Sequence, residues 1–275
     1  MRKVNADLHN HLKTGSDMST IDFNQVIDLA RERLGSGGIL GIVNFSDNRY
    51  EQFSNKEGYK RVDFDCGFYV PEKDILVIKG EEVATKQGHL LVLGLRKNRQ
   101  LHHGKDLEET INEATNENGV VVADHPFTYS GIGEQLRKVS NIEGVKSYPG
   151  LLERLDAIEV HNGEAALLPF ANKRAQEFFR RIGHFYQRPG ALISSDGHSL
   201  REIGSSYTTL NMPDYNEITS SDLLTDNLRK AIQGHKEYTG KMTNTRLMAL
   251  AHLFSLIGYM LKEKFYVFVK RIFNK

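Results

Sequence analysis

The 275-residue chain has a single cysteine, Cys66, which excludes an intramolecular disulfide, a Cys-rich zinc site and a CxxC redox motif. It has no GxGxxG and no GxxxxGK[ST], so the usual phosphate loops of dinucleotide and nucleotide-triphosphate binders are missing. Its 36 Lys and Arg against 35 Asp and Glu leave a formal charge of +1, which argues mildly against long nucleic acid as a partner. Residues 1–17 are polar and charged where a signal peptide needs an apolar run, so the expected location is cytoplasmic. Repeats and low-complexity tracts are absent. With 39% hydrophobic and 26% charged residues, the composition is that of a folded chain with a sizeable core.

Short apolar runs alternate with segments of helical period. Ile39–Val43, Ile75–Ile78, Leu90–Leu93, Val120–Ala123, Ala157–Val160 and Ala191–Ser194 read as buried strands, and the more polar Val4–His11 as a seventh. Between them, Phe23, Val26, Ile27, Ala30 and Leu34 form one helical stripe, with Ser19 or Thr20 as N-cap and Gly35 as stop. Further stripes run through Leu107, Ile111 and Ala114, through Ala175, Phe178, Phe179 and Ile182, and through Leu223, Leu224, Leu228, Ala231 and Ile232. The alternation predicts an α/β fold with a largely parallel sheet, and about seven strands over residues 1–240 suit a small barrel better than two domains or the runner-up, an open doubly wound sheet. Arg49–Asp74 carries six aromatic residues, read as packing on that barrel. Residues 241–275 form a basic amphipathic extension. Arg246–Lys275 holds six Lys or Arg against one Glu, and Leu247–Leu261 is too short for the ~20 residues of a bilayer span. A helix packed on the barrel, or on a second subunit of a homo-oligomer, is preferred there to a peripheral membrane anchor.

The chemistry lies at the strand ends. Asp7-Leu8-His9-Asn10-His11, Gly80-Glu81-Glu82, Gly88-His89, Asp124-His125-Pro126, Glu159-Val160-His161-Asn162 and Ser195-Asp196-Gly197-His198 all fall there. Strand alternation aims Asp7, His9 and His11 to one face, and likewise Glu159 with His161 and Asp196 with His198. Any one cluster reads as a polar strand end. Six together are costly to bury unpaired, and a metal centre accounts for them better than independent, satisfied histidines. Imidazole and carboxylate donors without thiolate suit Zn²⁺, Mn²⁺ or Fe²⁺.

At these residues the sequence resembles the PHP (polymerase and histidinol phosphatase) domain family, over about residues 1–240. Gly15-Ser16-Asp17, Gly80-Glu81-Glu82-Val83 with Gly88-His89-Leu90-Leu91, and Ile158-Glu159-Val160-His161-Asn162-Gly163 extend the match. The resemblance implies a distorted seven-stranded (β/α)7 TIM-like barrel with two or three divalent metals, hydrolysing phosphate esters. It implies His9, His11, Glu82 and Asp196 as ligands of a first ion, and Glu82, His89 and His125 of a second, with Glu82 as bridge. Asp17 and His198 are the implied ligands of a third. Asn48 stands where the family usually has a histidine completing that third site, and His161 lines the pocket. The implied function is a metal-dependent phosphoesterase acting on a small phosphomonoester or short nucleotide through metal-activated hydroxide. Asp196, His198 and His161 are its catalytic candidates, the two histidines as proton donors, and Lys13, Arg49 and Arg201 are candidate phosphate binders. The alternatives are a PHP-like metal-binding module with weak or lost catalysis, favoured by Asn48, and a metal-dependent amide or lactone hydrolase.

Overall fold

The computed structural model describes residues 1–140, 150–182 and 186–243. In chain order the elements are β1 (Arg2–Asp7), α1 (Phe23–Leu34), β2 (Gly38–Asn44), α2 (Arg49–Ser54), β3 (Val62–Phe64), β4 (Gly67–Val70), β5 (Ile75–Thr85) and β6 (Gly88–Leu93). They continue with α3 (Leu107–Asn116), β7 (Val120–Ala123), α4 (Gly133–Ser140), α5 (Leu151–Arg154), β8 (Ala157–Asn162), α6 (Pro169–Ile182), β9 (Gly190–Ser194), β10 (Tyr207–Met212), α7 (Ser221–Gln233) and β11 (Gly240–Lys241).

Nine strands follow one path, β11-β10-β1-β2-β5-β6-β7-β8-β9, and the hairpin β3-β4 is appended to β5. The sheet nearly closes on itself. Thr208 Oγ1 on β10 accepts from the Ile193 N–H of β9 (2.7 Å) and donates to its carbonyl (2.9 Å), and Asn10 and Gly197 form a parallel bridge. All seven expected strands are present, but β3, β4, β10 and β11 are additional, and the sheet is less parallel than expected. Only two residues join β5 to β6, too few for a crossover, so β6 runs antiparallel to both β5 and β7. β10 likewise runs antiparallel to β1.

Alternation along the strands sorts the core. Inward residues such as Val4, Ala6, Ile39, Leu76, Ile78, Leu91, Val122 and Leu192 fill the barrel. Leu224, Leu228 and Ile232 of α7 complete it at the end away from the His and Asp clusters. There α7 presses on β9: a Cβ at Gly190 would lie 1.8 Å from the Ile232 carbonyl oxygen, so only glycine fits. Truncating a fully buried side chain such as Leu228 to alanine costs about 2–5 kcal/mol. Outward residues pack under the helices. α1 begins at Asp22, whose carboxylate accepts from the Gln25 N–H (2.7 Å), rather than at Ser19 or Thr20, and stops at Gly35 with φ of 81°. Tyr50, Phe53 and Phe68 of the aromatic-rich segment pack with Phe23 beneath α1. Lys241 belongs to the sheet, and of the helical extension expected over 241–275 the part from 244 onward lies outside the described residues. No helix among the described residues is long and apolar enough to cross a membrane.

Candidate metal centre

The C-terminal ends of β2, β5, β7, β8 and β9 meet at one rim of the barrel. His89 opens β6 rather than ending a strand, yet reaches the same rim because β6 runs the other way. β1 stops at Asp7, so His9 and His11 sit in the loop beyond it, with ring centroids 5.2 Å apart. Asp7 points elsewhere. Its carboxylate accepts from Ser195 and from the Gly204 N–H, and burial lifts its pKa to about 6 against those bonds.

Glu82 lies at the centre. Its Oε2 is 3.2 Å from His11 Nε2 and 3.9 Å from His9 Nε2. Its Oε1 is 2.6 Å from His89 Nδ1 and 3.0 Å from His125 Nε2. The two oxygens therefore face two separate imidazole pairs. Asp196 Oδ1 joins the first pair, 3.4 Å from His9 Nε2 and 3.5 Å from His11 Nε2. Asp124 joins the second, with Oδ2 3.2 Å from His125 Nε2. Two donor groups result, His9–His11–Asp196 and Glu82–His89–Asp124–His125, with Glu82 Oε2 turned towards the first. A third is made of Glu164, Asp196 and His198.

Several of these atoms have no hydrogen-bond partner although fully buried: His9 Nε2, His11 Nε2, Asp196 Oδ1 and both oxygens of Asp124. Stranding so many polar atoms together is expensive unless something binds them. The opposite ring nitrogens are held. His9 Nδ1 faces Glu159 Oε1 at 3.0 Å, and His11 Nδ1 faces the Val43 carbonyl at 3.0 Å, which leaves each Nε2 lone pair for the shared space. The donors are imidazole nitrogens and carboxylate oxygens, so the site fits divalent ions. Asp196 and His125 carry positive φ, 50° and 25°, a strained conformation that concentrates at functional sites.

Electrostatics follows the geometry. Burial raises the Glu82 pKa, but His11, His125, His89 and His9 outweigh it and hold the carboxyl well below its usual range. Burial would lower His9, yet the Asp196 and Glu159 carboxylates lift it well above an ordinary histidine. Asp124, buried with little compensation, is pushed up to about 7. Glu159 ties the two halves together: Oε1 receives His9 and Ser194 Oγ (2.5 Å), and Oε2 receives the His125 N–H (2.7 Å) and Asn162 Nδ2 (2.9 Å).

His9, His11, Glu82, His89, His125, Asp196 and His198 thus come together around one cleft, and other expected residues do not. Asp17 is exposed and bonds Ser19 through its N–H (2.9 Å) and hydroxyl (3.0 Å). Asn48 is also exposed, its side-chain oxygen taken by Gln52. Glu164, rather than either of them, stands beside His198. His161 is turned out of the centre by a bulge in β8: Glu159 pairs with inward Leu192, but His161 pairs with outward Ile193, and its ring lies 3.4 Å from Ser206 Oγ. Lys13 reaches Thr20 and Arg201 is exposed, neither lining the cleft. Arg49 does line it, tied to Asp47 and to the carbonyls of His11 and Lys13. Glu81 points outward, accepting from the Leu101 N–H. Asp124, Glu159 and Glu164 are the residues of the centre that strand-end reading did not assign. The Asp124-His125 pair and the Glu159-Val160-His161 triplet are the signals for the first two.

No protein-family model and no curated protein matches this sequence. Solved structures do share its fold. PsfC from Pseudomonas syringae PB-5123 superposes with a TM-score of 0.63 at 15% identity, over 93% of this chain and 99% of that one. A two-domain protein from Bacteroides vulgatus ATCC 8482, containing a predicted PHP-like metal-dependent phosphoesterase, gives 0.51 at 15% identity, over 86% of this chain and 64% of that one. Endonuclease Q in complex with a 27-mer duplex bearing an abasic lesion gives 0.53 at 16% identity, over 88% of this chain and 58% of that one. At such identities the likeness is one of fold, a mixed α/β barrel-like sheet.

Proposed function

We propose that the chain is a PHP-type, metal-dependent phosphoesterase that hydrolyses a small phosphomonoester or a short nucleotide. The observation that carries this reading is Glu82, whose two oxygens face two imidazole pairs beside buried donor atoms that lack partners. His9, His11, Glu82 and Asp196 would hold one divalent ion, and Glu82, His89, Asp124 and His125 a second. Such ions supply a lowered water pKa and positive charge against the phosphoryl oxygens. The chain's own groups do the rest. Glu159 and the Val43 carbonyl fix the two histidine rings, and burial keeps bulk water from the donors. His198, half-exposed in the cleft wall with its ring centroid 4.5 Å from that of His11, is placed to give a proton to the leaving oxygen. His161, turned outward, is not. The fold shared with the duplex-bound endonuclease Q leans against excluding longer nucleic acid on net charge alone.

The test is turnover of 4-nitrophenyl phosphate by protein stripped with chelator and reloaded with Mn²⁺ or Zn²⁺, beside elemental analysis. Metal-dependent turnover is expected. The exposed Asp17 and Asn48 favour a second reading, a metal-binding module without catalysis. Stoichiometric metal with no turnover of phosphoester, amide or lactone would establish that one.

A further inference from the structure

The cleft over the centre encloses about 560 Å³, and its lining is poor in positive charge. Among the described residues Arg49 is the only Lys or Arg in it, engaged by Asp47 and two carbonyls, while Asp47, Glu82, Glu164 and Asp196 are acidic. With a phosphoryl group at the donor atoms, the described wall offers no further Lys or Arg to a second phosphate. It does offer an aromatic ring. Phe45 follows the buried end of β2, and Ser46, at φ of 53°, turns the chain immediately after it. The side chain stands at the cleft rim with the residue 39% exposed. Two histidines fix its attitude, His89 tilted at 5.6 Å and His103 edge-on at 5.9 Å between centroids. His103 is itself held, Nδ1 accepting from the Ala84 N–H at 3.2 Å. Seven large apolar side chains are exposed among the described residues, and three of them border this centre: Phe45 at the cleft, Tyr129 and Leu168 at an adjoining cavity of about 300 Å³. A phenylalanine ring set against His89 and His103 at the rim of a cleft is a platform for a flat partner.

We infer that Phe45 is the specificity-determining residue of this site, stacking on the aromatic or heterocyclic ring of a phosphoester that carries one phosphoryl group, as a nucleoside monophosphate does. The inference rests on the phosphoesterase reading, and two experiments separate their fates. The first compares uridine 5′-monophosphate with ribose 5-phosphate, which share the sugar and the leaving alcohol and differ in the base. Wild-type protein should prefer the nucleotide in kcat/KM. F45A should cut that preference about tenfold, equivalent to ~1.4 kcal/mol of stacking, and F45Y should restore it. A preference unchanged in F45A overturns the inference while leaving the phosphoesterase reading intact. The second needs no turnover. The chain has no tryptophan, so F45W places a single indole reporter at the rim. In metal-loaded F45W, uridine 5′-monophosphate should quench the indole emission saturably and ribose 5-phosphate should not. Emission indifferent to the nucleotide, or equally quenched by both, overturns the inference. Quenching without turnover of any phosphoester sustains it as a ring-binding site and sinks the catalytic reading alone.

Discussion

Strand β5 separates two groups of buried ionisable side chains. On its outward face Lys79 donates to Glu51 Oε1 (2.6 Å) and to the carbonyls of Arg99 (2.6 Å) and Arg96 (3.2 Å), matching three donors to three acceptors. Glu51 Oε2 receives Asn44 Nδ2 (2.9 Å), and Asn44 Oδ1 receives the Tyr50 N–H (2.8 Å). No atom of that network is left over. On the inward face, three residues further along, Glu82 sits among donor atoms with no partners. Glu51 and Glu82 are buried to the same degree, so burial does not distinguish these two acids. Saturation does: the closed network is a strut beneath α2, and the open one needs something from outside the chain. The adjacent acids Glu81 and Glu82 fall on opposite sides of this division by strand alternation alone.

The sharpest attack on this contrast is at those neighbours. E82Q keeps the side-chain shape and removes the charge facing both imidazole pairs. Phosphoester turnover should fall by about three orders of magnitude, several kcal/mol of lost charge stabilisation, with bound metal reduced in elemental analysis. E81Q should keep its metal and most of its activity. Equal losses in the two variants would dissolve the distinction between the faces.

K79M attacks the other face. It strands Glu51 in a buried setting, and urea denaturation should show a loss of about 3–5 kcal/mol. Metal content per folded chain should stay near wild type. Replacing Glu51 as well, in K79M/E51M, should recover part of the stability, because the unpaired charge is then gone. Smaller again is the effect of E159Q. Glu159 positions His9 through its ring nitrogen and His125 through its backbone N–H, so metal affinity in a chelator competition should weaken ~10–100-fold, with Glu82 untouched.

Much of this arrangement is legible along the chain. The six apolar runs are strands because short stretches rich in β-branched or aliphatic residues bury both faces of a barrel wall. His9, His11, Glu82, His89, His125, Asp196 and His198 converge because strand ends share one rim. The misses have local causes. A two-residue turn after Thr85 reverses β6, and runs of hydrophobicity carry no direction. One extra residue at Val160 breaks the alternation that would have placed His161 beside Glu159. Asp17 satisfies itself on Ser19, a bond only two residues long that any turn aspartate can make. β10 carries no apolar run because it is polar, although its residues alternate between half-buried or exposed and fully buried positions, a period of two that Thr208, Leu210 and Met212 display.

A last test concerns a histidine on the closed side of the contrast. His235, after α7, lies with Nδ1 2.8 Å from the Ala191 carbonyl and Nε2 2.7 Å from Thr239 Oγ1, so its neutral ring bonds at both nitrogens. Burial pushes its pKa below that of an ordinary histidine, the two bonds opposing only in part. The sign of the linkage follows. Below about pH 6.5 the unfolded chain takes up a proton on this ring while the folded chain does not, so stability at His235 is full above that pH and is lost as the pH falls. Far from the metal donors, the effect can be read in chelated protein as the difference between wild type and H235Q. At about pH 7.5 the variant should melt lower, having lost a ring that joins α7 to β9. By about pH 5.5 the gap in Tm should narrow, because the wild type alone carries the penalty of keeping this ring neutral. A gap that widens on acidification would mean that His235 is protonated in the folded state, and that the network around it is open rather than closed.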